Sequence, residues 1–98
     1  MRVYLHPGAE QDLAEAAGFY ETEASPAIAA RFLNEFERVA SQLIRNPDLG
    51  TPRSRGRRGF PVAGFPYTVI YAEQADGILV LVVKHDRRRP GFGATRAK

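Results

Sequence analysis

The stretch "YTVIYAEQADGILVLVVKH", Tyr67 to His85, decides the fold of this chain. Its first half, taken with the residues before it, alternates. Phe65, Tyr67, Val69 and Tyr71 fall on one face and Thr68 and Ile70 on the other, which is the period of a strand. Asp76-Gly77 is a hairpin signal, because a type I′ turn needs positive φ at both central residues. The second half, Gly77 to His85, is apolar on both faces, so it reads as a central strand covered on both sides.

Upstream, "GFPVAGF" at 59–65 predicts another strand, with Pro61 marking an edge or a bulge. Residues 47–59, "PDLGTPRSRGRRG", read as the longest loop, and their four arginines should be exposed. Before that loop the period becomes helical. Ser25 is a natural N-cap, Pro26 suits the first helical position, and Asn46-Pro47 stops the helix. Ile28, Phe32, Phe36, Val39 and Leu43 form its apolar stripe, widened by Leu33, Ala40 and Ile44. Residues 9–23 predict an earlier helix with Ala9, Leu13, Ala16 and Tyr20 on one face. A short strand at 2–6 precedes it, ended by Pro7-Gly8. Two helices so closely linked must form an antiparallel hairpin. The fold class is therefore α+β: an N-terminal strand, then a helical hairpin packed on one face of a small, mainly antiparallel sheet, in the order β-α-α-β-β-β. Two helices cover one face of such a sheet, which leaves the other face to be accounted for.

Ninety-eight residues fit one domain spanning 1–98, with 90–98 left as a tail free to move. With 44% hydrophobic and 26% charged residues, one packed core is affordable. There is no cysteine, which excludes disulfides and thiolate metal sites, and two histidines do not suggest a dedicated metal centre. No metal or cofactor is expected. The N-terminus lacks the apolar core of a signal peptide, and the longest apolar run, Ile78 to Val83, is too short to span a bilayer. A cytoplasmic protein without membrane association is the expectation.

Charge is divided unevenly. Net charge is −4 over residues 1–50 and +7 over residues 51–98, which suggests an acidic or polyanionic partner for the second half. The most compact cluster, "KHDRRRPGFG", follows directly on the apolar strand. Guanidinium groups grip phosphate and carboxylate bidentately and keep their charge. Lys84, His85, Arg87, Arg88 and Arg89 are therefore candidate target- or nucleic-acid-binding residues, and Arg57 or Arg58 would join them if the preceding loop approaches the same rim. An unperturbed histidine side chain changes charge near neutrality, which makes His85 a candidate acid or base; the ordinary alternative is a hydrogen-bonded structural histidine. His6 is a weaker candidate. No G-x-S-x-G, P-loop or GxGxxG marks a nucleophile or a nucleotide site.

The order of elements and the tail "H-x-x-R-x-P-G-F" together resemble the RelE/ParE superfamily of type II toxin–antitoxin toxins. The likeness runs through "AEQDLAEAAGFYE", "AARFLNEFERVASQLIRNPDLG" and "RRGFPVAGFPYTVIYAEQADGILVLVVKHDRRRPGF". It implies a growth-inhibiting toxin neutralised by an antitoxin protein. One branch resembles ribosome-dependent mRNA endonucleases, with an arginine on the strand that here reads "PYTVIY" and an aromatic hydroxyl in the tail. The other, ParE-like branch resembles inhibitors of DNA gyrase. Thr68 and Phe92 stand at those two nuclease positions, and phenylalanine cannot transfer a proton. The ParE-like reading is therefore favoured, with His85, Arg88 and Arg58 as the catalytic candidates should the mRNA reading hold. The resemblance also implies that the antitoxin would cover the open face of the sheet, with Ile70, Leu79, Leu81, Val83 and Phe92 as its contacts. A homodimer is the alternative cover in the free protein.

Overall fold

The computed structural model of the chain describes residues 2–97. The elements are β1 (Arg2–Leu5), α1 (Pro7–Glu23), α2 (Pro26–Arg45), β2 (Thr51–Pro52), β3 (Arg58–Pro61), β4 (Tyr67–Gln74) and β5 (Gly77–His85). They form one sheet in the order β1-β5-β4-β3-β2, in which β1 lies parallel to β5 and the other pairs are antiparallel. The α+β class and the helical hairpin are as the sequence predicts, and β5 is an interior strand between β1 and β4, while β4 is the middle one. The long loop adds a fifth, two-residue strand, β2, flanked by single 3₁₀ turns at Pro47–Leu49 and Ser54–Gly56.

Local chemistry explains the boundaries. His6 ends β1 and caps α1, its Nδ1 accepting from the Gly8 N–H at 2.9 Å. Pro7 then occupies the first helical turn, where a missing N–H leaves nothing unpaired. Ser25 caps α2 through its hydroxyl and the Ile28 N–H. The β4–β5 turn departs from the type I′ expectation. Gln74 pairs with Gly77, so Ala75 and Asp76 are the central residues. Among the described residues Arg55 is the only non-glycine with positive φ, which rules out type I′ there. Gly77 begins β5 instead, and its lack of a side chain lets the Arg2 backbone of β1 approach closely.

The helices cover one face of the sheet. Phe32, Val39 and Leu43 of α2 and Ala9 and Ala16 of α1 pack on Val69, Tyr71, Ile78, Val80 and Val83. A second, smaller cluster on the far face joins Ile70, Leu79, Leu81 and Val82. The split follows from a bulge: Ile70 pairs with Val82 and Tyr71 with Val80, so Leu81 has no partner on β4. One extra residue shifts the alternation by one, and Val83, expected on the open face, turns toward the helices.

The far face is not open. After β5 the chain turns back, and Phe92 packs on the far cluster with Gly93 against Val82. Leu81 is only 2% exposed beneath it. This segment, expected as a free tail, is seated by side chains from elsewhere. Arg55 and Arg57 donate to the Ala94 carbonyl at 2.8 and 2.9 Å, and Arg57 also donates to the Arg96 carbonyl. Lys98 lies outside the described residues.

At the start of the sheet the Tyr4 hydroxyl donates to Asp76 Oδ2. That hydrogen bond holds the Asp76 carboxyl below its usual range. Tyr4→Phe should let the Asp76 pKa rise toward that of an ordinary aspartate, measured by NMR titration of its side-chain carbonyl carbon. The sign is that of a depressed carboxylate: the bond stabilises the fold above the unfolded pKa, and the benefit is lost as pH falls through the folded value. An unchanged titration would show that the hydroxyl is not what holds the carboxylate charged.

Candidate functional site

β1 is short, and the site begins where it ends. Its last residue, Leu5, pairs with Val80, and the His6 N–H closes on the Val80 carbonyl. Beyond that point the edge of β5 has no neighbouring strand. Buried backbone groups there need partners, and an ion pair supplies them. Asp12 of α1 accepts from the Val83 N–H at 3.0 Å, and Arg96 donates to the Leu81 carbonyl at 3.0 Å. The two side chains bind each other at 2.7 and 3.3 Å. Asp12 is 8% exposed, although it lies on a helix that is otherwise acidic and solvated.

Over this edge, between α1 and the returning tail, lies a cavity of about 350 Å³. Ala16, Phe19, Tyr67, Val83 and Phe92 give it apolar and aromatic walls, and Asp12, Glu15, His85 and Arg88 supply its polar groups. A second cleft of about 310 Å³ shares Asp12, Glu15, Arg88 and Phe92 and extends to Gly8, Gln11 and Arg96. Phe19 is 58% exposed, a large aromatic ring left at the cavity wall. The His85 ring stands edge-on to Tyr67 at 5.1 Å, and its Nδ1 accepts from the Arg87 N–H at 3.0 Å. That bond leaves Nε2 as the nitrogen able to donate in neutral imidazole. The Arg88 guanidinium lies over the Phe92 ring at 4.6 Å. Burial pushes the Tyr67 hydroxyl above its usual pKa, and Tyr20 adds to this while Arg88 opposes it. Tyr67 is therefore neutral at physiological pH.

The predicted cationic cluster is partly assembled. Arg87, Arg88 and Arg89 sit at the C-terminal rim of β5 beside His85, and all three arginines are exposed. Among the described residues the ion pairs are Arg38–Glu35, Arg58–Asp48 and Arg96–Asp12, so no carboxylate pairs with these three. Lys84 differs from expectation. It pairs in register with Thr68 and is 8% exposed, so it adds little to the surface. Arg57 and Arg58 do not reach the rim. Arg57 holds the tail, while Arg58 donates to the Gly50 carbonyl at 2.9 Å and pairs loosely with Asp48. Arg57 lies between the second 3₁₀ turn and β3, while Arg58 is the first residue of β3.

The apolar residues expected to meet an antitoxin are already occupied. Ile70, Leu79 and Leu81 are buried in the far cluster, against which Tyr4, Ala72 and Phe92 pack, and Val83 belongs to the cluster on the helix side. Sequence reasoning missed Asp12, Glu15, Phe19, Tyr67 and Arg96 as site residues. Asp12 carried a signal: it stands between Ala9 and Ala16, at spacings of three and four, on the apolar face of α1.

Residues 3–90 match the family described as the ParE toxin of type II toxin–antitoxin system, parDE. A protein named Toxin ParE2, found in two strains of Mycobacterium tuberculosis, is 30% identical over 90 residues, covering 91% of this chain and 85% of the relative. A chain described as the chromosomal ParDE TA system from P. aeruginosa has the same fold. Its TM-score is 0.75 at 18% identity, over 87% of this chain and 95% of that one.

Proposed function

This chain belongs to the ParE toxin family of type II toxin–antitoxin systems, and from that premise we propose that it arrests growth by binding and poisoning DNA gyrase, using the cavity mouth around His85 and Arg88, until a cognate antitoxin protein neutralises it. Gyrase as target places the action in the bacterial cytoplasm. Arg87 and Arg89, exposed beside the cavity, extend the positive surface.

The observation that carries the choice of a binding mechanism is the state of the would-be nuclease groups. Thr68 Oγ1 donates to Asp86 Oδ1 at 2.8 Å, Arg58 is held at the 3₁₀ turn, and Phe92 offers only a ring. None of the three presents a cation or a transferable proton to the cavity. What faces it suits a protein surface: aromatic walls and an arginine lying over one of them, the side chains that dominate tight interfaces.

A supercoiling assay with purified gyrase tests the proposal. Inhibition at micromolar toxin is expected, and Arg88→Ala should weaken it by roughly tenfold or more, the scale of a central arginine in an interface. Glu37→Ala, on the solvated side of α2, should leave it unchanged. One feature favours a second reading: Tyr67, His85 and Arg88 line the same cavity. If supercoiling is untouched while translated message is cut in arrested cells, and His85→Ala abolishes the cutting, the mRNA endonuclease reading replaces the first.

A further inference from the structure

The segment that covers the far face and closes the β5 edge also reaches the cavity. Arg96 does three things at once. It pairs with Asp12, donates to the Leu81 carbonyl, and lies over the Phe92 ring at 5.2 Å. Arg88 lies over that same ring at 4.6 Å. A continuous chain of contacts therefore runs from Asp12 on α1, through Arg96 and Phe92, to the Arg88 guanidinium at the cavity. The segment carrying it is fixed from a further side by Arg55 and Arg57, which hold the Ala94 and Arg96 carbonyls.

We propose that Asp12, Arg96 and Phe92 are positioning residues for Arg88: the end of the chain clips onto α1 and sets the orientation in which Arg88 is presented. The inference rests on the reading of Arg88 as target-binding. Its physical basis is entropic. A free arginine side chain has many rotamers and loses them on binding. One already held against an aromatic ring, as Arg88 is against Phe92, has lost part of that freedom in the unbound protein, so more of the contact energy appears as affinity.

The test measures toxin strength in cells, as the protein level needed to halt growth, for Arg96→Gln and Phe92→Leu, each alone and with Arg88→Ala. Growth arrest does not presuppose which molecule is the target. Phe92→Leu is the deciding variant, because leucine retains apolar cover over Ile70 and Leu81 and leaves the Asp12–Arg96 pair intact while removing the ring. Thermal melts of the purified variants set a growth temperature at which all are folded. Each single variant is expected to weaken arrest by about fivefold or more, the scale of coupling between side chains in contact. In the Arg88→Ala background each should add less than about twofold, since positioning matters only while the positioned group is present. A purely structural tail would give the same loss in both backgrounds, and that result overturns the proposal. Arg88→Ala reducing arrest while Phe92→Leu does not would remove the clip and leave the target-binding reading standing. Arg88→Ala without effect on arrest would remove both. Arrest that depends on Arg88 with supercoiling unchanged would remove gyrase as the target and leave the clip in place.

Discussion

Replacing Asp12 with alanine should cost about 3–5 kcal/mol of folding stability, the usual penalty for removing one partner of a buried ion pair. The size follows from what is left behind. Arg96 would keep its charge in a largely enclosed site with only the Leu81 carbonyl as partner, and the Val83 N–H would lose its acceptor. Total stability of small domains is about 5–15 kcal/mol, so a large share of the fold is at stake. For a domain of this length the melting temperature should fall by roughly 15–30 °C. Arg96→Met should cost less, because the Asp12 carboxylate would still accept from the Val83 N–H. The double variant should be more stable than the sum of the two losses implies, by about 1 kcal/mol or more. Urea midpoints for the two singles and the double measure this directly. If Asp12→Ala shifts the midpoint no further than a change at exposed Glu37, the ion pair is not what closes the β5 edge.

That pair marks the boundary of what the sequence could reveal. Hydrophobic period gave both helices and the paired strands, because a 3.6-residue or two-residue repeat is a local property that burial selects directly. It also gave the interior place of β5, whose apolar residues are buried on both faces. The bulge at Leu81 was not legible. One unpaired residue depends on how β4 and β5 twist against each other, and "ILVLVV" reads equally well in either register. The placement of Val83 failed for that reason. The contacts of the tail were not legible for another. Arg96 finds Asp12 across 84 residues, and nothing local in "GFGATRAK" specifies that contact. The arginines show both outcomes. Arg87 to Arg89 follow the end of a strand and so reach its rim, as the sequence implies. Arg57 and Arg58 could have approached that rim, and the structure instead engages Arg57 with the Ala94 carbonyl and Arg58 with the Gly50 carbonyl, contacts that no local pattern specifies. The family likeness was readable because it rests on the order of elements, which these local signals define.

Phe32→Ala is the second change expected to have a large effect, at about 3–5 kcal/mol. Phe32 is fully buried on α2, and its ring meets three others: Tyr20 at 5.4 Å, Phe65 at 5.2 Å and Tyr67 at 5.1 Å between centroids. These contacts tie both helices to the sheet, and the edge-on geometries with Phe65 and Tyr67 each add about 0.5–1.5 kcal/mol beyond area burial. Truncation would leave a cavity that cannot collapse, because the surrounding rings are anchored on three different elements. The consequence reaches the candidate site through Tyr67, whose ring also supports His85 at 5.1 Å. Phe32→Ala should therefore loosen the His85 ring as well as lower the melting temperature. The loosening is readable as increased side-chain dynamics in NMR relaxation of the His85 imidazole well below the melting point. Phe19→Ala is the contrast, since an exposed ring removed from the surface should change stability by no more than about 0.5 kcal/mol. Should Phe32→Ala melt normally, or melt early with the His85 ring as rigid as before, the aromatic cluster does not connect the core to the cavity. His85 would then owe its orientation to the Arg87 N–H alone.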